Sequence, residues 1–169
     1  SAIYGPTASG KTALAIELAQ ATGAAILNAD SMQVYADLRI VTARPSEAEE
    51  AAAEHRLYGI LPGRDPCSVA RWAALAKAEI AALAPRPVIL VGGTGLYFTA
   101  LTEGLAEIPA TPDDIRAEAM ARLDAGELAQ MIAELDAETR ARIDLANPMR
   151  VQRAWEVMRA TGRPLSDWQ

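Results

Sequence analysis

The 169-residue sequence has a single cysteine, Cys67, and a single histidine, His55. One cysteine excludes an intrachain disulfide framework and any zinc site built on cysteines, and it fits a reducing compartment. No stretch approaches the ~18 consecutive apolar residues of a membrane span, and no charged-then-apolar leader precedes the first motif. The expectation is a soluble, monomeric protein of the cytoplasm with no membrane partner. Basic residues are also in deficit. The formal net charge of −6 argues against a nucleic-acid partner for the chain taken as a whole. That deficit is uneven. From Arg140 onward six arginines stand against three acidic residues, a local +3, while the preceding part holds 10 basic and 19 acidic residues, net −9. An acidic body with a basic end fits a polyanion held at one edge, and equally a solvated helix face. Internal repeats and low-complexity tracts are absent.

What is present is organised around the first dozen residues. Gly5, Pro6, Thr7, Ala8, Ser9, Gly10, Lys11 and Thr12 read GPTASGKT, an unbroken G-x-x-x-x-G-K-[ST]. A loop closing round phosphate oxygens must turn its backbone N–H groups inward, and glycines at its ends allow close approach without a Cβ. The following run of strong helix formers places a positive helix N-terminus behind the anion, and the helix is expected to end at Gly23 as a C′ glycine. Lys11 adds a full positive charge, and the Thr12 hydroxyl is placed to ligate Mg²⁺.

Length and a hydrophobic fraction of 51% suit one α/β domain with a small appendage. Residues 24–30 read as a short buried strand delivering Asp30 to the carboxyl edge of the sheet, where open parallel sheets bind ligands. There Asp30 could serve as an Mg²⁺ ligand, a general base, or a turn-former. Residues 39–45 read as mixed extended chain. Ser46 with Glu49 forms a capping box, 55–61 looks like another strand, and Ser68 caps a longer helix stopped by Pro85 and Pro87. Residues 87–91 form the clearest central strand, and it ends in glycines rather than in the Mg²⁺-organising Asp of many P-loop hydrolases. From Pro109 helix follows helix without strand signal, over 113–123, 127–135, 137–143 and 149–161. The expected organisation is a P-loop NTPase-like α/β core over 1–108, with a parallel sheet flanked by helices. An all-helical insertion follows over 109–146, and a basic helix over 147–169 returns to the core. The loop and Asp30 by themselves also fit a small-molecule kinase using ATP, or a nucleotide-binding module without chemistry.

The segments DSMQVY (30–35), TARPS (42–46), VGGTGLYF (91–98) and NPMRVQRAWEV (147–157), in this order after GPTASGKT, resemble the tRNA dimethylallyltransferases, also called tRNA isopentenyltransferases. The resemblance covers nearly the whole chain. It implies transfer of a dimethylallyl group from dimethylallyl diphosphate to the exocyclic amine of the adenosine beside the anticodon of tRNA. On that likeness the P-loop, Gly5 to Thr12, holds the diphosphate leaving group, with Mg²⁺ on Thr12 and Lys11 neutralising charge, and Asp30 is the general base. Asp30, Ser31, Met32 and Gln33 are implied to touch the target adenine and its neighbours, and Thr94 to touch the tRNA. Met149, Arg150, Val151, Gln152 and Arg153 are implied to lie on the tRNA anticodon stem-loop, the two arginines three apart on one helix face. The target base must leave its stack to reach Asp30. The sequence departs from the likeness at residues 55–59, HRLYG where HHLID is usual, so a carboxylate often found there is missing, and His55 is expected to make a structural hydrogen bond. The family's chains also continue beyond the position of Gln169, so their usual C-terminal part is expected to be absent here.

Overall fold

The computed structural model describes residues 1–6, 8–106 and 108–168. It divides into two compact units, Ser1–Leu105 and Ala106–Gln169. The expected boundary at 108 thus lies three residues later than the observed one, and residues 147–169 fall in the same unit as 109–146.

The first unit carries four strands, β1 (Ala2–Tyr4), β2 (Ala25–Asn28), β3 (His55–Arg56) and β4 (Val88–Gly92), in the order β1-β4-β2-β3. Every pairing is parallel, as the sequence leads one to expect. Central β2 is buried along its whole length, and its side chains alternate between two apolar layers, as a strand covered on both faces must. Ile26 packs with Ala15 and Ala19 of α1 (Lys11–Thr22) and with Ile89 and Val91 of β4. Leu27 packs with Trp72, Ala73 and Ala76 of α3 (Val69–Leu83) and with Tyr97 and Ala100 of α4 (Gly95–Thr102). α1 ends at Gly23 in a left-handed conformation, φ 70°, which a glycine adopts without a Cβ penalty. The capping box of α2 (Glu47–Ala52) forms in full: Ser46 N donates to Glu49 Oε2 at 2.8 Å and Glu49 N to Ser46 Oγ at 3.3 Å. Ser68 accepts from Arg71 N at 3.1 Å at the start of α3.

Three local expectations are corrected. The strand expected over 55–61 is cut to His55 and Arg56, with an isolated parallel bridge from Leu61 to Tyr35, because Leu57 (φ 63°) and Gly59 (φ 58°) turn the backbone out of the sheet between them. Residues 39–43 are turns rather than extended chain, since Thr42 N and Oγ1 both donate to Leu38 O and Ala43 sits at φ 51°. The GGTG turn runs directly into α4, a helix the sequence pattern does not reveal.

The second unit packs α5 (Asp113–Asp124), α6 (Leu128–Glu134), α7 (Ala137–Arg142) and α8 (Pro148–Thr161) around Ala119, Met131, Leu135, Val151, Ala154, Trp155 and Val157. α8 starts where Asn147 Oδ1 accepts from Met149 N at 3.1 Å and Pro148 opens the first turn. A charged network crosses this unit: Arg122 gives Glu134 two hydrogen bonds of 3.0 and 2.8 Å, and the Trp155 indole N–H gives it a third of 2.6 Å. Those donors, Arg122 first, pull the Glu134 carboxyl down to about 2 from an ordinary 4.5. A folded value below the unfolded one means that the network contributes stability fully above pH ~4.5 and loses it as pH falls towards ~2. Glu134 is 43% exposed, so solvent screening keeps the effect modest. In an acid titration of melting temperature, wild type should outlast Glu134→Gln at pH ~6, and the gap should close by pH ~2. A gap that stays constant over this range would remove the ionic contribution. Among the described residues no helix is long and apolar enough to cross a membrane.

Candidate functional site

The glycine-bounded loop leaves β1 and enters α1 at Lys11, with Gly10 at φ 80° and Ala8 at φ 63° on the way. The loop is tied to the central sheet, because Gly5 N donates to Gly92 O at 3.4 Å. A Cβ at Gly5 would lie 3.3 Å from Ser9 Oγ and 3.8 Å from Lys11 Cδ, so this glycine gives the lysine stem its track. The Lys11 ammonium and the Ser9 hydroxyl both donate to Pro6 O. Thr7 lies outside the described residues, and the rest of the motif lies where the sequence pattern puts it.

Asp30 follows β2 at the carboxyl edge, beside the loop. A Cβ on Gly93 would meet Gly5 O at 3.4 Å and Asp30 Oδ2 at 3.6 Å, so loop and carboxylate approach each other across a glycine. The Asp30 backbone is pinned by Asn28, which is fully buried: Asn28 Oδ1 accepts from Asp30 N at 2.9 Å, and Asn28 Nδ2 donates to Asp30 O at 3.0 Å and Leu57 O at 3.1 Å. Asp30 Oδ1 accepts from Met32 N at 2.9 Å, which fixes the carboxylate plane. Gly92 closes the floor. Its Cβ would lie 2.1 Å from the Ala29 carbonyl, so β4 can end only in glycine there and carries no acid.

Ser31 N donates to Thr94 Oγ1 at 2.9 Å, and the two hydroxyls lie 3.3 Å apart, which joins the DSMQ and GGTG segments. Gln33 holds the 38–44 turns through Thr42 O at 2.8 Å, and Met32 stands half exposed. A cavity of about 270 Å³ is lined by Ala8 to Ala13 on one side and by Asp30, Gln33 and Ala43 on the other, over Val91 and Gly92. Two further side chains reach it that sequence reasoning did not assign: Glu49, read only as a helix cap, and Tyr58, inside the HRLYG departure. The Tyr58 hydroxyl is pushed up by burial and by the charges of Asp30 and Glu50, so it is a neutral donor at physiological pH. His55 makes the expected structural bond, with Nδ1 2.8 Å from Ala53 O.

No trio of histidine, cysteine or acidic side chains stands ready for a metal among the described residues. Thr12 and Asp30 nevertheless line one cavity and offer hard oxygen donors, which suits Mg²⁺ because that ion takes most of its ligands from phosphate and water.

In the second unit Met149, Arg150 and Arg153 are exposed, and Arg153 Nη1 donates to Thr111 Oγ1 at 2.7 Å. Val151 and Gln152 are buried. Val151 belongs to the apolar cluster, and the Gln152 amide donates to Glu156 at 2.7 Å, so of the expected RNA-facing segment only three side chains open to solvent in this unit.

A glycine-bounded phosphate loop feeding a helix at the carboxyl edge of a parallel sheet defines a P-loop-type α/β domain. A family model described as IPP transferase matches residues 33–169 and one described as isopentenyl transferase matches 1–62, so the chain belongs to the IPP transferase family. It is 63% identical over 169 residues to a tRNA dimethylallyltransferase of Cereibacter sphaeroides, covering 99% of this chain and 52% of that protein. A tRNA dimethylallyltransferase of Rhodospirillum centenum is 54% identical, with 55% of its length covered. The chain therefore spans about half the length of the curated relatives it matches. Among solved structures, the tRNA isopentenylpyrophosphate transferase of Bacillus halodurans aligns with TM-score 0.60 at 35% identity, over 96% of this chain and 56% of that one. A eukaryotic dimethylallyltransferase acting on tRNA shares the fold, with TM-score 0.77 at 24% identity.

Proposed function

We propose that the protein to which this chain belongs transfers a dimethylallyl group from dimethylallyl diphosphate to the exocyclic amine of the adenosine beside the anticodon in tRNA. The observation that carries this reading is the single cavity shared by the phosphate loop and Asp30, over a strand end that has no carboxylate to aim water at a γ-phosphate. In the reaction the amine nitrogen bonds to the allylic carbon, the carbon–oxygen bond to the diphosphate breaks, and the nitrogen sheds a proton. Loop amides, the α1 N-terminus and Lys11 oppose the charge that develops on the departing diphosphate. Mg²⁺, held by Thr12 and the diphosphate, would add Lewis-acid neutralisation there. Asp30 takes the proton on Oδ2, since Oδ1 is engaged by Met32 N. Ser31, Met32, Gln33 and Thr94 would hold the flipped base and its neighbours, and the exposed Met149, Arg150 and Arg153 would meet the anticodon stem-loop.

Incubating the full-length protein with labelled dimethylallyl diphosphate and unmodified tRNA tests this directly. Label is expected in tRNA. ATP-dependent phosphorylation of a small acceptor, with unlabelled tRNA, would instead establish a kinase. Lys11→Ala should weaken diphosphate binding by ~10- to 100-fold, read by titration calorimetry, because a charge-assisted contact is lost. Unchanged affinity would remove the P-loop from the diphosphate site.

A further inference from the structure

Tyr58 occupies an unusual stretch of backbone. Leu57 before it and Gly59 after it both have positive φ, 63° and 58°, a conformation that strains a leucine and persists only where neighbours impose it. The neighbours are identifiable. Leu57 O accepts from the buried Asn28 amide at 3.1 Å, and Gly59 N donates to Gln33 O at 2.9 Å, so the segment is fastened on both sides to residues flanking Asp30. Gly59 lies at φ 58°, where any side chain would be strained, and a Cβ there would displace the Arg44 guanidinium as well. The result is a fixed presentation of the residue in between.

The Tyr58 ring is half-buried against the apolar layer under α1, the layer of Ala15, Ala19, Ile26 and Val91, and it meets His55 edge-on at 5.3 Å. The same side chain lines the cavity of the phosphate loop. Asp30 Oδ1 accepts from Met32 N, and among the described residues the Tyr58 hydroxyl makes no hydrogen bond to Asp30. A phenol beside an anion site can donate a hydrogen bond to it.

We propose that the Tyr58 hydroxyl donates to a non-bridging oxygen of the diphosphate seated in the loop, making Tyr58 a binding residue of the leaving-group site. This inference rests on the diphosphate reading above. No electrons or protons are exchanged in the contact, which acts on the bound diphosphate and on the charge it gains as the allylic bond breaks.

The test is calorimetric titration of the full-length protein with inorganic diphosphate and Mg²⁺, comparing wild type, Lys11→Ala and Tyr58→Phe. Phenylalanine keeps the ring and its packing and removes only the hydroxyl, and a melting temperature close to wild type verifies that the fold is kept. Tyr58→Phe is expected to bind diphosphate ~10- to 100-fold more weakly, the range for a hydrogen bond to a charged group. Should that variant unfold, Tyr58→Leu, which also lacks the hydroxyl, must show the same loss at a melting temperature close to wild type. Wild type that binds no diphosphate overturns the leaving-group reading itself. Wild type that binds, Lys11→Ala that does not, and Tyr58→Phe with unchanged affinity overturn the Tyr58 assignment alone.

Discussion

Asp30→Asn is expected to lower turnover by ~10²- to 10⁴-fold while leaving the affinities for diphosphate and for tRNA close to wild type. The argument starts from isosterism. Asn keeps the shape of the carboxylate, can still accept from Met32 N through Oδ1, and leaves the Asn28 bonds untouched, because those go to the Asp30 backbone. What it cannot do is accept the proton that the amine must lose on attack. An exocyclic amine conjugated to a purine is a poor nucleophile, and without an acceptor the positive charge has to develop on nitrogen against the aromatic ring. Single-turnover rates on the full-length protein, paired with equilibrium binding of diphosphate and RNA, separate the two effects. Turnover within about threefold of wild type would dismiss Asp30 as the base, and a parallel loss of diphosphate affinity would recast it as part of the Mg²⁺ site.

Asp30 and the loop were legible in the sequence because each belongs to a local rule. GPTASGKT encodes its own geometry, and a buried aliphatic run ending in Asp places that residue at the ligand edge of a parallel sheet. Gly23, Ser46 and Ser68 were legible for the same reason, since helix ends are decided within a few residues. Tyr58 and Glu49 were not. Their places in the cavity depend on positive-φ turns at Leu57 and Gly59 and on how α2 packs against α1, and a pattern of apolar residues over 55–61 reads as strand all the same. Val151 and Gln152 illustrate the converse. A motif likeness assigns the whole segment to RNA, whereas the 3.6-residue period of α8 turns those two side chains inward and leaves Met149, Arg150 and Arg153 at the surface. The short β3 follows from the positive φ at Leu57 and Gly59, held by the tertiary bonds of Asn28 to Leu57 O and of Gly59 N to Gln33 O.

Trp72→Ala should be the most destabilising single change in the first unit. Trp72 has no exposed surface, lies flat on Tyr97 with ring centroids 4.0 Å apart and planes 12° from parallel, and fills the layer between β2 and α3. Truncating a buried Trp removes its transfer free energy and leaves a cavity, together ~3–5 kcal/mol. The indole N–H also donates to Asn28 O at 3.0 Å, and a buried carbonyl left without that partner adds ~1–3 kcal/mol. Such a sum is of the order of a whole domain's ~5–15 kcal/mol, so partial unfolding at ambient temperature is expected for Trp72→Ala. Trp72→Phe is the more informative variant. It keeps most of the stacked area and loses the donor, so urea denaturation should show a smaller loss, dominated by the orphaned carbonyl and the partly unfilled space. Asn28 is the residue that pins Asp30 and Leu57, so a slackened Asn28 should also lower turnover in protein that remains folded. Stability and turnover both at wild-type levels in Trp72→Phe would show that the indole bond does not support the site, and that Asn28 holds Asp30 unaided.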